Sequence, residues 1–218
     1  MPAFIAGPAP RASQEATRHR RGCHATRNQR HIMTPSASNE QANVTIASET
    51  ARWNDFSPLL QRGVFCPLAA DCSVQDFLTG QLGIDPAYVR DRIATVFVDG
   101  SVVDDLETAT LRPGSTLTLS AAMPGLVGAT LRKGGFYSAM RSEISWKAGD
   151  DTRPRLDAPP DTIRLKLFNT VLREIGPTLL RRGVLVDRRE AMGAVGAWCS
   201  DLDDAPEGKW VSLQVASR

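Results

Sequence analysis

Histidine is almost absent from this sequence. Its 218 residues include three, His19, His24 and His31, and all of them precede Met33. From Met33 onward no imidazole is available, which removes the usual general base of Ser and Cys triads and the commonest nitrogen ligand of zinc. Cysteine is sparse too. Cys23, Cys66, Cys72 and Cys199 match neither paired C-x2-C knuckles nor a disulfide-dense secreted scaffold, so they read as reduced packing thiols. Aromatic residues make up 6% of the chain and add no binding signature. No G-x-S-x-G elbow, Walker loop, dinucleotide fingerprint or H-E-x-x-H helix occurs, and no motif calls for a cofactor or a metal. Long apolar runs are missing as well. The longest uncharged stretch, 113–131, is broken by Gly114, Pro124 and Gly125 and is rich in Ser and Thr, so no membrane-spanning helix is expected.

What is present is an ordinary globular composition, 42% hydrophobic and 23% charged, in a chain long enough to bury a core without disulfides or metal. The net charge of +2 conceals an asymmetry. Residues 1–32 carry Arg11, Arg18, Arg20, Arg21, Arg27 and Arg30 against Glu15, or 6 − 1 = +5, which leaves 2 − 5 = −3 for the rest. A mildly acidic body offers no electrostatic footprint for nucleic acid. The basic segment 1–43 reads as a disordered tail, and Met33, which opens a polar stretch, is a candidate translation start. The apolar piece 3–9 precedes the positive charge instead of following it, so no secretory signal is expected and a cytoplasmic, soluble protein is.

Periodicity outlines an α+β fold. Trp53, Phe56, Leu59 and Leu60 suit one side of a helical turn, and residues 63–68 read as a short strand closed by Pro67. Ser73 is a good N-cap, with Asp76 three residues on, for a helix through Val74, Phe77, Leu78 and Leu82 that stops at Gly83. Residues 87–92 suggest a short helix. The β-branched run 93–98 meets Asp99-Gly100, the strongest short hairpin signal, and Leu117 and Leu119 alternate with Thr116, Thr118 and Ser120 in a later strand. Phe136, Ala139, Met140 and Ile144 are spaced 3, 1 and 4, which predicts a helix carrying Tyr137, Arg141 and Glu143 outward. A polar, proline-rich linker, 149–161, separates the domain at 44–148 from an α+β extension at 162–218. In that extension Ile163, Leu165 and Leu167 alternate as a strand. Asn169 stands where a helix cap belongs, and Pro177 should bend or restart the helix that follows.

The succession strand, helix, hairpin, turn, strand over 63–123 resembles the ubiquitin-like β-grasp fold, and within it the thiamin and molybdopterin sulfur carriers (ThiS and MoaD types). Three stretches carry the resemblance: 73–78 with Leu82-Gly83-Ile84; Val96-Phe97-Val98-Asp99-Gly100 through Val103; and Thr110 through Leu117 around Pro113-Gly114. The whole succession covers about 60 of the 218 residues, and residues 163–176 are similar to the opening of a molybdopterin carrier. The resemblance implies chemistry at a terminal Gly-Gly, adenylated and then converted to a thiocarboxylate by a partner enzyme. Gly134-Gly135 is the matching pair, but 218 − 135 = 83 residues follow it, so carrier activity requires cleavage after Gly135.

The leading expectation is a non-catalytic protein-interaction or accessory module, a β-grasp domain whose partner is another protein, possible activating or acceptor enzymes included. Its partner face is expected at Thr116, Thr118 and Ser120 on the sheet and at Met123, Leu126 and Val127 in the uncharged segment that follows. The alternatives are the cleaved carrier and a thiol-dependent enzyme using Cys66 or Cys72.

Overall fold

The alternation around Ile163 builds the central strand of the molecule. The computed structural model describes residues 42–47, 51–147, 158–203 and 208–216. Strand β8, Thr162–Phe168, buries Ile163, Leu165 and Leu167 completely and holds Arg164, Lys166 and Phe168 half-buried on its other face. The strands β1 (Ala42–Ile46), β2 (Val64–Pro67), β4 (Thr95–Val98), β5 (Ser101–Val102), β7 (Thr116–Ser120), β9 (Val184–Asp187) and β10 (Trp210–Val215) join it. Together they form one mixed sheet in the order β1-β10-β9-β2-β8-β7-β4-β5. The short strands β3 (Cys72–Ser73) and β6 (Thr110–Leu111) pair separately.

Residues 162–218 are therefore not an appendage to the preceding region. Strand β8 lies between β2, to which it is antiparallel, and β7, to which it is parallel. A parallel neighbour cannot be reached by a tight turn. The chain from β7 to β8 must run from the end of one strand back to the start of the other, and residues 121–161 make that crossing. Of the expected linker 149–161, the part up to 157 lies outside the described residues, as does the expected tail through 41; β1 begins at Ala42.

Two strand-helix-strand units interleave in the β1-β10-β9-β2-β8 part of the sheet. In the first, β1 leads through a 3-10 turn (Trp53–Phe56) and helix α1 (Ser57–Arg62) into β2; in the second, β8 leads through α5 (Asn169–Arg182) into β9. Their helix ends share a pattern, Leu59-Leu60-x-Arg62-Gly63-Val64 and Leu179-Leu180-x-Arg182-Gly183-Val184. Gly63 at φ 116° and Gly183 at φ 92° both return their amide to the carbonyl of the leucine four residues back, a conformation that disfavours any side chain. Helix α5 runs through Pro177 as one element, so of the two expected outcomes, a bend or a restart, the restart does not occur. Asn169 does not cap it: the residue is at φ 54°, and its side-chain amide donates to Ser120 Oγ at 2.8 Å.

Between β2 and β4 the expected helix forms as α2 (Val74–Asp76), continued by a π turn at Phe77–Gln81, and Gly83 at φ 60° ends it. Ser73 Oγ accepts from the Asp76 amide at 3.0 Å while its hydroxyl donates to the Asp76 carboxylate at 2.9 Å, so Asp76 engages the cap's hydroxyl where a capping-box Glu engages its backbone amide. Helix α3 (Pro86–Asp91) follows. Asp99 and Gly100 both take positive φ, 51° and 83°, and close the β4–β5 hairpin.

A single core occupies one face of the sheet. Val44, Val64, Leu117, Leu165 and Leu213 there meet Phe56, Leu59, Phe77, Leu78 and Leu179 from the helices. On the other face Phe65 stands edge-on to Trp210 at 4.9 Å, with the Arg164 guanidinium 5.7 Å from the Phe65 ring; neither aromatic belongs to the core cluster.

Candidate interaction surface

Residues 121–147, the first part of the crossing from β7, fold into a projection of two packed elements, α4 (Gly125–Leu131) and a 3-10 segment, Phe136–Ile144. Helix α4 doubles back tightly on its own approach. A Cβ on Gly128 would sit 1.9 Å from the Met123 carbonyl oxygen, so only glycine lets the helix pass there.

The projection is pinned to the sheet by polar groups. The Lys133 amide donates to the Ala94 carbonyl at 2.9 Å, and Lys133 Nζ donates to the Val89 carbonyl at 2.6 Å. Burial pulls the Lys133 ammonium below its ordinary pKa, partly offset by Asp91. The Trp146 amide donates to the Val102 carbonyl at 2.8 Å, beside a parallel bridge from Ser145 to Val102 that covers the β5 edge.

Arg141 holds the two elements together. It is 5% exposed, and its guanidinium donates to the Thr130 carbonyl, to Ser145 Oγ at 3.0 Å, to the Asp104 carboxylate at 2.6 Å and to the Arg132 carbonyl at 3.4 Å. The same Asp104 oxygen accepts the Gly134 amide at 2.7 Å. A buried guanidinium needs an anion and several acceptors, and this fold supplies both.

That arrangement departs from the expected orientation of 136–144 at Arg141 and at the apolar positions, while Tyr137 and Glu143 face outward as expected. Arg141 turns inward, while Phe136 is 93% exposed, Met140 71% and Ile144 49%. Leu126 and Val127 on α4 are 65% and 68% exposed, and Tyr137, edge-on to Phe136 at 5.2 Å, is 41% exposed. Among the described residues, these six are the exposed large hydrophobic side chains. The apolar spacing presumes one α-helix, whereas the segment is 3-10 and leaves helical geometry at Arg141 (φ −126°, ψ 24°), where the guanidinium turns in to Asp104. Asp104 beside the β4–β5 hairpin was the one available hint in the sequence.

The other expected contact residues are distributed differently. Thr116 and Thr118 are half-buried on the coreless face of the sheet, Met123 is half-buried at the base of α4, and Ser120 is buried beneath Asn169. Ser120 is thus withdrawn from any contact surface. Gly134 at φ 59° and Gly135, whose amide donates to the Arg132 carbonyl at 3.1 Å, form the turn between the two elements of the projection. A chain end at Gly135 would detach the 3-10 segment and with it Arg141.

Among the described residues, all three thiols are shifted away from the thiolate. Cys66 faces the core, and burial pushes it up to about 12. Cys72 is raised by burial and by the carboxylates of Asp76 and Asp71, and Cys199 is raised chiefly by burial. A reactive cysteine needs the opposite shift. Among the described residues no three His, Cys, Asp or Glu side chains converge as metal ligands, and no helix is long and apolar enough to cross a membrane. A cleft of about 540 Å³ beside the projection is lined by Val89, Asp104, Asp105, Glu107, Lys133 and Gly134 among others. Compared with known protein families, curated proteins and solved structures, the chain finds no match.

Proposed function

We propose that this chain is a non-catalytic protein-interaction module whose contact surface is the apolar projection at 121–147. One observation carries the reading: the six exposed large hydrophobic side chains among the described residues all fall between Leu126 and Ile144, on two elements fastened by a buried guanidinium. Scattered surface apolar residues are ordinary; concentrated ones mark contacts. The fastening matters as much as the exposure, because a preorganised surface loses less entropy on binding.

The module is a β-grasp sheet in this reading, with one strand displaced in the chain. The run β2-β8-β7-β4-β5 has a parallel pair, β8 and β7, flanked by antiparallel strands, with α2 leading from β2 toward β4. A β-grasp sheet likewise sets its first and last strands side by side and parallel. Here the strand in the first position is β8, which comes after β7 in the chain and leads into helix α5 where a carrier's opening strand leads into a second strand.

Gel filtration of a gentle extract of the native host tests the reading. The tagged chain is expected to elute well above its 23.6 kDa monomer mass. The double variant Phe136→Ser, Met140→Ser, folded by circular dichroism, is expected to elute as a monomer. Elution of the unaltered chain at monomer mass would refute the proposal.

A further inference from the structure

We infer that the occupant of the apolar projection is the same projection on a second copy of this chain. The inference deepens the interaction reading and rests on it. Its first support is area. The six exposures add up to nearly four fully exposed side chains, or roughly 800 Å² at ~200 Å² each. A standard protein–protein interface buries about that much on each partner.

The second support is self-complementarity. Exposed charge on the projection consists of Arg132 and Lys147 together with Glu143, while Arg141 is neutralised internally by Asp104. Leu126, Val127, Phe136, Met140 and Ile144 carry no charge that contact would strip of water. A surface with an apolar centre and both signs of charge nearby satisfies itself under a two-fold axis, Glu143 of one copy meeting Arg132 or Lys147 of the other. A surface shaped for a strongly acidic or basic partner would carry one sign. Two-fold pairing is also the commonest closed symmetry among soluble oligomers.

The sheet does not offer a competing edge on this side. Ser145 bridges to Val102 and the Trp146 amide bonds the Val102 carbonyl, so β5 is already covered and association proceeds through side chains.

Sedimentation equilibrium of the purified 218-residue chain, from about 1 to about 100 µM, tests the inference. The expected result is a reversible dimer, twice 23.6 kDa, half-dissociated at about 10 µM or below. Phe136→Ser with Met140→Ser should weaken it at least ~100-fold, and Glu143→Arg alone at least ~5-fold, with circular dichroism unchanged. A monomer at ~100 µM overturns the inference. If that monomer still enters a larger complex in host extract, the interaction reading stands with a different partner; if it is monomeric there as well, both fall. Flotation of the purified monomer with vesicles of mixed anionic and neutral phospholipid would overturn the second copy in favour of a lipid surface. A dimer that survives Phe136→Ser with Met140→Ser would overturn it as well, because its interface would then lie elsewhere.

Discussion

Replacing Arg141 by Met tests the organisation of the projection most directly. Methionine keeps an unbranched stem in the same space but donates no hydrogen bond, so the Thr130 and Arg132 carbonyls, Ser145 Oγ and the Asp104 carboxylate lose a donor together. An exposed ion pair contributes ~0–1 kcal/mol and breaking a fully buried one costs about 3–5 kcal/mol. This pair falls between those limits, since the Arg141 side chain is 3% exposed and that of Asp104 is 39% exposed. Asp104 can rehydrate; the two carbonyls are less free to. The expected cost is about 2–4 kcal/mol, concentrated in residues 121–147, because the core and the β7–β8 pairing do not involve Arg141.

Hydrogen–deuterium exchange reads that cost locally. At ~1.4 kcal/mol per factor of ten, the amides of Lys133, Gly134 and Trp146 should exchange roughly 30- to 1,000-fold faster in the variant. Amides of β7 and β8 should keep their native rates. If the three reporter amides exchange no faster in Arg141→Met, the guanidinium does not hold the projection and the reasoning is refuted. Equal acceleration in β8 would also count against it, because the projection would then unfold only with the whole sheet.

Four further outcomes follow from the same geometry. Gly128→Ala should destabilise the projection by at least ~2 kcal/mol, seen as faster exchange at the same amides, since the obstructing atom is a backbone oxygen and cannot swing away. Ser73→Ala should lower stability by ~1 kcal/mol in urea unfolding through loss of the α2 cap. Cys66 is raised from 9.0 to about 12 in the fold, so the unfolded chain loses the thiol proton first as pH rises above 9; stability is present below that pH and declines above it, by up to ~1.4 kcal/mol per pH unit, and Cys66→Ala should remove this slope from alkaline unfolding curves. Finally, Gly134-Gly135 is expected to remain intact in the host: intact-mass spectrometry should find no species ending at Gly135, and a dominant one would favour the sulfur-carrier reading instead.

Much of the secondary structure was legible because local chemistry decides it. Asp99-Gly100 closes a hairpin since both positions favour positive φ, Ser73 caps a helix through its own hydroxyl, and Leu117 and Leu119 alternate with Thr116 and Thr118 into a half-exposed strand. Each of these features depends on a handful of neighbouring residues. The repeated Leu-Leu-x-Arg-Gly-Val helix end was equally available to inspection, and it marks two related strand-helix-strand units.

Composition and local pattern alone thus determined a mixed α+β chain, the Asp99-Gly100 turn and the Ser73 cap, and the lack of histidine after residue 32. Tertiary structure decided the rest. That β8 inserts between β2 and β7 depends on pairing between residues 101 positions apart on one side (Val64 with Leu165) and 48 on the other (Thr116 with Arg164), which no local period encodes. The inward turn of Arg141 and the outward turn of Phe136, Met140 and Ile144 depend on Asp104, 37 residues away, offering a carboxylate at the right place. Amphipathic spacing specifies which side chains travel together; only the assembled fold specifies which of the two sides meets water, because that depends on where the long-range partner stands.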